Sequence, residues 1–144
     1  MDPPAYDPRY LAGVLFFNDT DYFEAHEVWE DLWAECHGDE RKFVQGLIHA
    51  AVGLHHFSTG NLGGAAKLYR SGRDYMTPVG SPFLGVDVTA FWRDMEECFR
   101  PVLGPQPPER SVRPDPERTP RLTLDPPPER WPDPTEFVAP EEGD

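Results

Sequence analysis

Two pairs of polar side chains, each spaced four residues apart, are the part of this sequence that could carry chemistry. His26 and Glu30 form one pair, and Gln45 and His49 form the other. A spacing of four places both members of a pair on one face of a helix. Two imidazoles and a carboxylate could hold a divalent metal such as zinc, manganese or iron. The same groups could work as acid and base, because histidine titrates near neutral pH and a carboxylate can orient it.

The same side chains could instead form a structural network with no chemical role. Glu30 would then accept hydrogen bonds from His26 or His49, and Gln45 would complete the set. This interpretation is favoured, since perturbed polar clusters also arise in purely structural networks. His56 lies on the stripe of Gln45 and His49 but close to the helix end, where exposure is expected, as it is for two further histidines (His37 and His55).

Several neighbouring residues are candidates for a ligand pocket or polar network around the two pairs: Glu27, Trp29, Trp33, Gln45 and Asn61. Residues 26–30 read HEVWE, which lacks the second histidine of the zinc-protease pattern HExxH, so that interpretation is rejected. The two tryptophans could line a pocket, but an aromatic pair four residues apart more often belongs to the core.

Two helices must position these side chains, and they are predicted over residues 21–36 and 40–58. Residues 40–58 are apolar almost all the way round a helix, so other elements must surround them. The connection between the two helices is short, with Gly38 ending the first and Asp39 capping the second, which makes them antiparallel neighbours. Counting outward from this turn predicts that the four polar side chains converge inside the bundle.

The remaining pattern predicts an all-α protein, a single compact bundle of about five helices followed by an extended, proline-rich C-terminal tail. The other helices are predicted from Asp7 to near Asn18, over residues 62–76 after Asn61, and from Asp87 to about Arg100. Since 13 of the 18 prolines follow Arg100, no further long helix is expected. The bundle is assigned to residues 1–100 and the tail to residues 101–144. The tail is expected to pack on the bundle or on a second copy through five apolar anchors: Leu122, Leu124, Trp131, Phe137 and Val138.

The charge of the chain narrows the classes of partner. The 26 acidic and 13 basic residues give a formal net charge of −13, which disfavours binding to nucleic acid or to anionic membranes. Only two of the basic residues are lysines, a bias typical of a salt-adapted protein. The two cysteines match no zinc spacing and are expected to be free thiols. Without a signal-peptide pattern or a membrane-length apolar run, the sequence predicts a cytoplasmic protein.

Three phrases in the chain resemble an uncharacterised family. They are FNDTDYFEAHEVWEDLW (residues 17–33), FVQGLIHAAVGLHHFSTGN (43–61) and GAAKLY (64–69). The phrases are similar to the pattern FN..YFEAHEVLE..W followed by QGLIQ.A..L.H...GN..GA of the family known as domain of unknown function 309. Seven residues stand where that pattern has them: His26, Glu27, Glu30, Gln45, Gly46, Gly60 and Asn61. His49 departs, because the family often has glutamine at this position.

The resemblance implies a small all-helical protein and supplies no activity, so two hypotheses remain. The favoured one is a structural or interaction module in which His26, Glu30 and Gln45 form an internal polar clamp. The alternative is an enzyme acting on a small molecule, with His26 and Glu30 as metal ligands or as an acid-base pair and His49 or Gln45 assisting. The tail could join two copies as a homo-oligomer.

A salt dependence follows from the net charge. If the acidic surface is an adaptation to high ionic strength, raising salt from low to molar concentration will screen self-repulsion and raise the melting temperature. Thermal unfolding monitored by circular dichroism across a potassium chloride series checks this. A melting temperature that stays constant across the series would contradict it.

Overall fold

The chain folds into five α-helices followed by irregular chain. The structure, a computed structural model, describes residues 5–138. Its helices are α1 (Pro8–Asn18), α2 (Tyr22–Trp33), α3 (Gly38–Thr59), α4 (Leu62–Met76) and α5 (Val88–Leu103), and the tail contains one 3-10 turn at Pro134–Phe137. No strand is found within residues 5–138, where Phe83 and Val86 form an isolated bridge. The all-α prediction is confirmed.

The helix caps explain why some predicted ends are correct. Asp7 accepts a hydrogen bond from the Arg9 amide at 2.8 Å and begins α1. Asn61 accepts from the Gly64 amide at 3.0 Å and begins α4, while Gly60 ends α3 in the left-handed conformation at φ 89°. Each cap pairs a backbone group that the helix itself leaves unpaired.

Other ends differ from the prediction. Helix α2 ends at Trp33, three residues early, and its N-cap residue Asp21 makes no side-chain capping hydrogen bond. Helix α3 begins at Gly38, so this glycine opens α3 and does not close α2. Helix α5 continues beyond Arg100 to Leu103, so Pro101 lies inside its last turn and does not end the helix.

Helix α3 is the centre of the bundle. Ten of its residues are buried: Phe43, Val44, Gly46, Leu47, Ile48, Ala50, Ala51, Gly53, Leu54 and Phe57. Helix α4 comes closest to it, at Gly46 and Gly72. A β-carbon built on Gly46 would lie 3.1 Å from the Gly72 carbonyl oxygen, and one on Gly72 would lie 3.2 Å from the Gly46 carbonyl oxygen. Only glycines allow the two backbones to approach this closely.

Aromatic rings fill the space around α3. Tyr69 of α4 stacks on Phe99 of α5 with ring centroids 5.3 Å apart, and Phe57 of α3 meets the same phenylalanine edge-on at 5.4 Å. The indole N–H of Trp29 donates to the Tyr10 carbonyl oxygen at 3.2 Å, so this buried polar atom is satisfied. The core therefore joins all five helices.

The tail returns to the bundle at Leu122 and Leu124, which are both buried. Asn18, the last residue of α1, joins the helix to the tail through two hydrogen bonds of its side chain. Its side-chain oxygen accepts from the Leu122 amide at 2.8 Å, and its side-chain nitrogen donates to the Leu122 carbonyl at 2.9 Å. The Tyr6 hydroxyl donates to the Pro126 carbonyl at 2.6 Å and holds the chain further on.

The later predicted anchors behave differently from one another. Phe137 and Val138 are partly buried and pack against the core. Trp131 is 41% exposed, so the expectation that it anchors the tail on the bundle is wrong. Pro128 and Pro132 lie on either side of Trp131 in the sequence, and the chain between them forms no helix.

Removing the Asn18 side chain is expected to loosen the tail. Asn18→Ala leaves both backbone groups of Leu122 without these partners, which should lower the free energy of unfolding by about 1–3 kcal/mol. It should also speed tryptic cleavage after Arg118 and Arg121. Urea unfolding and limited proteolysis measure the two effects.

The matched control is Asn61→Ala, which removes a helix cap far from the tail and should cost about 0.5–2 kcal/mol. It should leave cleavage at the tail arginines unchanged. Equal cleavage rates in both variants would show that Asn18 does not hold the tail.

Candidate functional site

A chain of hydrogen bonds runs from α3 to α4 through His49. The Gln45 side-chain amide donates to Nε2 of His49 at 2.6 Å, and Nδ1 of the same ring lies 2.7 Å from the Ser71 hydroxyl oxygen. The Ser71 hydroxyl in turn donates to the Leu68 carbonyl at 3.3 Å. Because the serine proton goes to Leu68, the histidine donates its Nδ1 proton to Ser71. We call these four groups the α3–α4 relay.

The relay holds His49 as a neutral imidazole. Its Nε2 is occupied by a donor, so protonation would break the hydrogen bond to Gln45. Burial acts in the same direction and lowers the pKa of His49. Ser71 is not set up as a nucleophile, because its proton points to a backbone carbonyl and not to a base. The relay is therefore suited to joining two helices.

His26 and Glu30 form a separate pair along α2. The His26 Nδ1 donates to the Phe23 carbonyl of its own helix at 2.6 Å, which directs Nε2 towards Glu30. Nε2 and the carboxylate oxygen are 3.7 Å apart, too far for a direct hydrogen bond. The Glu30 side chain is 58% exposed, so water solvates its charge.

The prediction of a buried clamp is wrong. Within residues 5–138, no buried residue is polar or charged, and no hydrogen bond joins the His26–Glu30 pair to Gln45 or His49. The close approach of α4 gives His49 a partner in Ser71, and the local carbonyl of Phe23 takes the His26 proton. His26 thus bonds to Phe23 and His49 to Ser71, and neither histidine bonds to the polar pair on the other helix.

The two pairs border one surface, which we call the outer face of α3. Its stripe is formed by side chains at helical spacing that are only partly buried: Arg41, Gln45, His49, Val52 and His56. Helix α2 borders the stripe on one side, where the Arg41 guanidinium lies 3.9 Å from the Trp33 ring centre. Helix α4 borders it on the other side, where Ser71 meets His49.

Two exposed aromatic rings flank the outer face. Phe23 of α2 is 50% exposed and lies 5.0 Å from the His26 ring and 6.1 Å from the His55 ring. Tyr75 of α4 is 44% exposed and meets the His49 ring edge-on at 5.2 Å. An aromatic ring packed against a histidine ring is held in place while one side stays open to a partner.

The other candidate residues have mostly structural roles. Glu27 is exposed, and Trp29 is fully buried in the core. Trp33 is half-buried beneath Arg41, and its indole N–H has no hydrogen-bond partner within the described chain. Besides capping α4, Asn61 donates through its side-chain nitrogen to Nδ1 of His56 at 3.3 Å.

Neither a metal centre nor a reactive thiol stands out in the described residues. Between residues 5 and 138, no group of three or more His, Cys, Asp or Glu side chains is arranged to hold a metal ion. Both cysteines are free and buried, and burial raises the pKa of the Cys36 thiol to about 11 and that of Cys98 to about 12. Such thiols stay protonated and are poor nucleophiles.

Sequence reasoning missed Ser71, the partner that decides the role of His49. Ser71 and Gly72 stand side by side among charged residues of α4. Small residues at this point could have indicated a close approach to another helix. Nothing in their spacing specified His49 as the group they would meet.

Among the described helices, none has the length and apolar character needed to cross a membrane.

Comparison with known proteins finds similarity to one family over the region from α1 into α4. The family model described as "Domain of unknown function (DUF309)" matches residues 10–68. An uncharacterized protein of Aquifex aeolicus (strain VF5) is 30% identical over 94 residues, which make up 65% of this chain and 28% of that protein. The uncharacterized protein YpuF of Bacillus subtilis (strain 168) is 38% identical over 65 residues, 44% of this chain and 37% of that protein.

The chain thus spans only about a third of the length of these curated relatives. The matched region runs from α1 into α4 and contains His26, Glu30, Gln45 and His49, whereas Ser71 of the relay, α5 and the tail lie beyond it. The likeness seen in the three sequence phrases is confirmed, because the model of this family matches residues 10–68.

Proposed function

We propose that this protein is a non-catalytic helical interaction module whose copies associate across the outer face of α3. The observation that carries the proposal is the position of Phe23 and Tyr75, two large exposed aromatic side chains that flank this face. Exposed aromatic side chains of this kind are enriched at the centres of protein interfaces.

Charge supports this face as the point of contact. A chain of net charge −13 repels its own copies, so contact is least costly where carboxylates are fewest. The stripe itself carries Arg41, His49 and His56 and no acidic residue. The exposed Glu30 at its border could meet a positive group of a second copy.

The α3–α4 relay supports the proposal in a second way. By joining Gln45 and His49 to Ser71, it fixes α4 against α3, which holds Tyr75 at a constant distance from the stripe. A rigid surface loses less conformational entropy on binding than a mobile one. The polar residues thus shape the surface without taking part in a reaction.

An enzyme using His26, Glu30 and His49 is the alternative. It is favoured by one observation, that the Phe23 carbonyl fixes the His26 ring with Nε2 directed at Glu30, as in an oriented acid-base pair or a metal ligand set. Stoichiometric divalent metal in protein purified without chelator, absent from His26→Ala, would favour this alternative.

The amino-acid composition supports a salt-rich cytoplasm as the place where this module works. A net charge of −13 with only two lysines fits a cytoplasm of high ionic strength, in which screening would let copies meet. A contact made by the proline-rich tail, through Trp131 or the neighbouring residues, is the other route to a homo-oligomer.

Sedimentation in molar salt tests the outer face. The wild-type chain should form dimers at about tens of micromolar, and Phe23→Ser combined with Tyr75→Ser should raise the dissociation constant at least about tenfold. These changes leave the net charge unaltered, so loss of the dimer would report the aromatic contact.

Trp131→Ser is the matched control, since it removes an exposed aromatic ring of similar accessibility from the tail. It should leave the dimer intact. A dimer that dissociates only in Trp131→Ser would assign the contact to the tail, and a monomeric wild-type chain would refute the proposal.

The relay predicts a pH dependence of stability. Because the pKa of His49 is lower in the folded protein, the unfolded state binds more protons between the folded pKa and the unfolded value of about 6.5. The stabilising contribution of neutral His49 is therefore complete above that unfolded value and is lost as pH falls through the folded pKa. His49→Gln should flatten this slope in urea unfolding measured from about pH 8 to about pH 5.

His55→Gln serves as the comparison, because it removes a histidine from the same helix without touching the relay. It should keep the wild-type slope. If both variants keep that slope, His49 is not held neutral by its surroundings.

A further inference from the structure

A cleft of about 470 Å³ opens where the tail crosses the bundle. Its walls come from the turn between α1 and α2, the end of α3 and the tail segment around residues 113–121. Tyr22 and three tail prolines supply apolar surface, and Thr20 and Thr119 supply hydroxyls. A volume of this size suits a small molecule.

Two arginines line this cleft, and within residues 5–138 no carboxylate lines it. This is unusual in a chain with twice as many acidic as basic residues. Arg9, Arg73, Arg100 and Arg118 all have a carboxylate partner. Arg113 and Arg121 have no such ion pair in the described part of the chain, which is also true of five other arginines.

Backbone carbonyls orient both guanidinium groups from one end. Nη1 of Arg113 donates to the carbonyls of Arg110 at 2.9 Å and Val112 at 2.8 Å. Nη1 of Arg121 donates to the Asn18 carbonyl at 3.0 Å. Neither Nη2 nor Nε of these two residues donates a hydrogen bond to a described residue. Each arginine is therefore positioned while it keeps donors for an anion.

The end of α3 makes room for one of these groups. A β-carbon on Gly60 would lie 2.8 Å from Nη2 of Arg113, so the left-handed glycine that ends the helix also lets the guanidinium approach. The negative end of the α3 dipole favours a cation at this place. Arg113 is thus held at the cleft by the helix and by its own backbone.

The Tyr22 hydroxyl adds a donor to the cleft. Tyr22 is 5% exposed as a residue, and its hydroxyl has no hydrogen-bond partner among the described residues. This oxygen is not one of the buried unsatisfied atoms of the described chain, so it can reach a molecule in the cleft. Burial also raises the pKa of Tyr22, so the hydroxyl stays protonated and can donate.

The backbone conformation of Thr20 is a further feature of the cleft. Thr20 lines the cleft with φ 64°, in the left-handed region that β-branched residues rarely adopt. Strained residues of this kind cluster at ligand sites. The turn between α1 and α2 thus places the threonine hydroxyl at the cleft despite an unfavourable backbone conformation.

We propose that this cleft binds a small phosphorylated molecule, whose phosphate group accepts hydrogen bonds from Arg113, Arg121 and Tyr22. A phosphate has several acceptor oxygens and two negative charges, which suit two separate guanidinium groups better than a single carboxylate does. The prolines and the Tyr22 ring form the wall against which the rest of the molecule packs. This site is separate from the outer face of α3.

Titration calorimetry with phenyl phosphate, in a buffer free of other phosphate, tests the site. Saturable binding of one molecule per chain is expected, with benzoate at least about tenfold weaker and phenol not bound. Arg113→Ala and Tyr22→Phe should each weaken phenyl phosphate binding by about tenfold or more. Arg113→Lys should fall between wild type and alanine, since lysine keeps the charge but not the forked geometry.

Arg110→Ala is the matched control. It removes the same charge from the same segment, while its backbone carbonyl still holds Arg113. Its affinity should remain within about twofold of wild type. Absence of saturable binding, equal affinity for benzoate, or an equal loss in Arg110→Ala would overturn the proposal. Unchanged melting temperatures of Arg113→Ala and Tyr22→Phe would show that lost binding does not come from unfolding.

Discussion

The fold depends on one backbone contact, the approach of α3 and α4 at Gly46 and Gly72. Helix α3 is apolar on almost every side, so its neighbours must come close enough to exclude water from it. With glycine on both helices, each carbonyl reaches the opposite α-carbon, and the aromatic rings of α4 and α5 can close around the contact. Any side chain at either glycine would push the helices apart.

The same contact determines what His49 can do. Since α4 lies so near, Ser71 reaches the imidazole and takes its proton, and Gln45 occupies the other nitrogen. An isolated histidine on a helix would be available for acid-base chemistry, whereas this one has both nitrogens engaged and is held neutral. A polar stripe that resembles a catalytic site in the sequence thus becomes a connection between two helices.

The tail has more influence on the surface than its composition suggests. Leu122 and Leu124 are buried against the bundle, and the Asn18 side chain of α1 hydrogen-bonds to the backbone of Leu122. These contacts bring two tail arginines to the cleft that Tyr22 and the end of α3 also line. Residues distant in sequence, on a helix and on a proline-rich segment, become neighbours only through this crossing.

The sequence by itself determined the helices, because apolar periodicity and the caps Asp7, Asn61 and Asp87 are local signals. It also determined the central place of α3 and the family likeness. Only the tertiary structure decided the partners of the polar side chains. A helical wheel gives the directions in which His26 and His49 point. It does not give the polar group that lies nearest to each ring, because that depends on how closely the helices pack. Nothing in the sequence indicated that the tail arginines and Tyr22 line one cleft, since long-range contacts leave no periodic pattern.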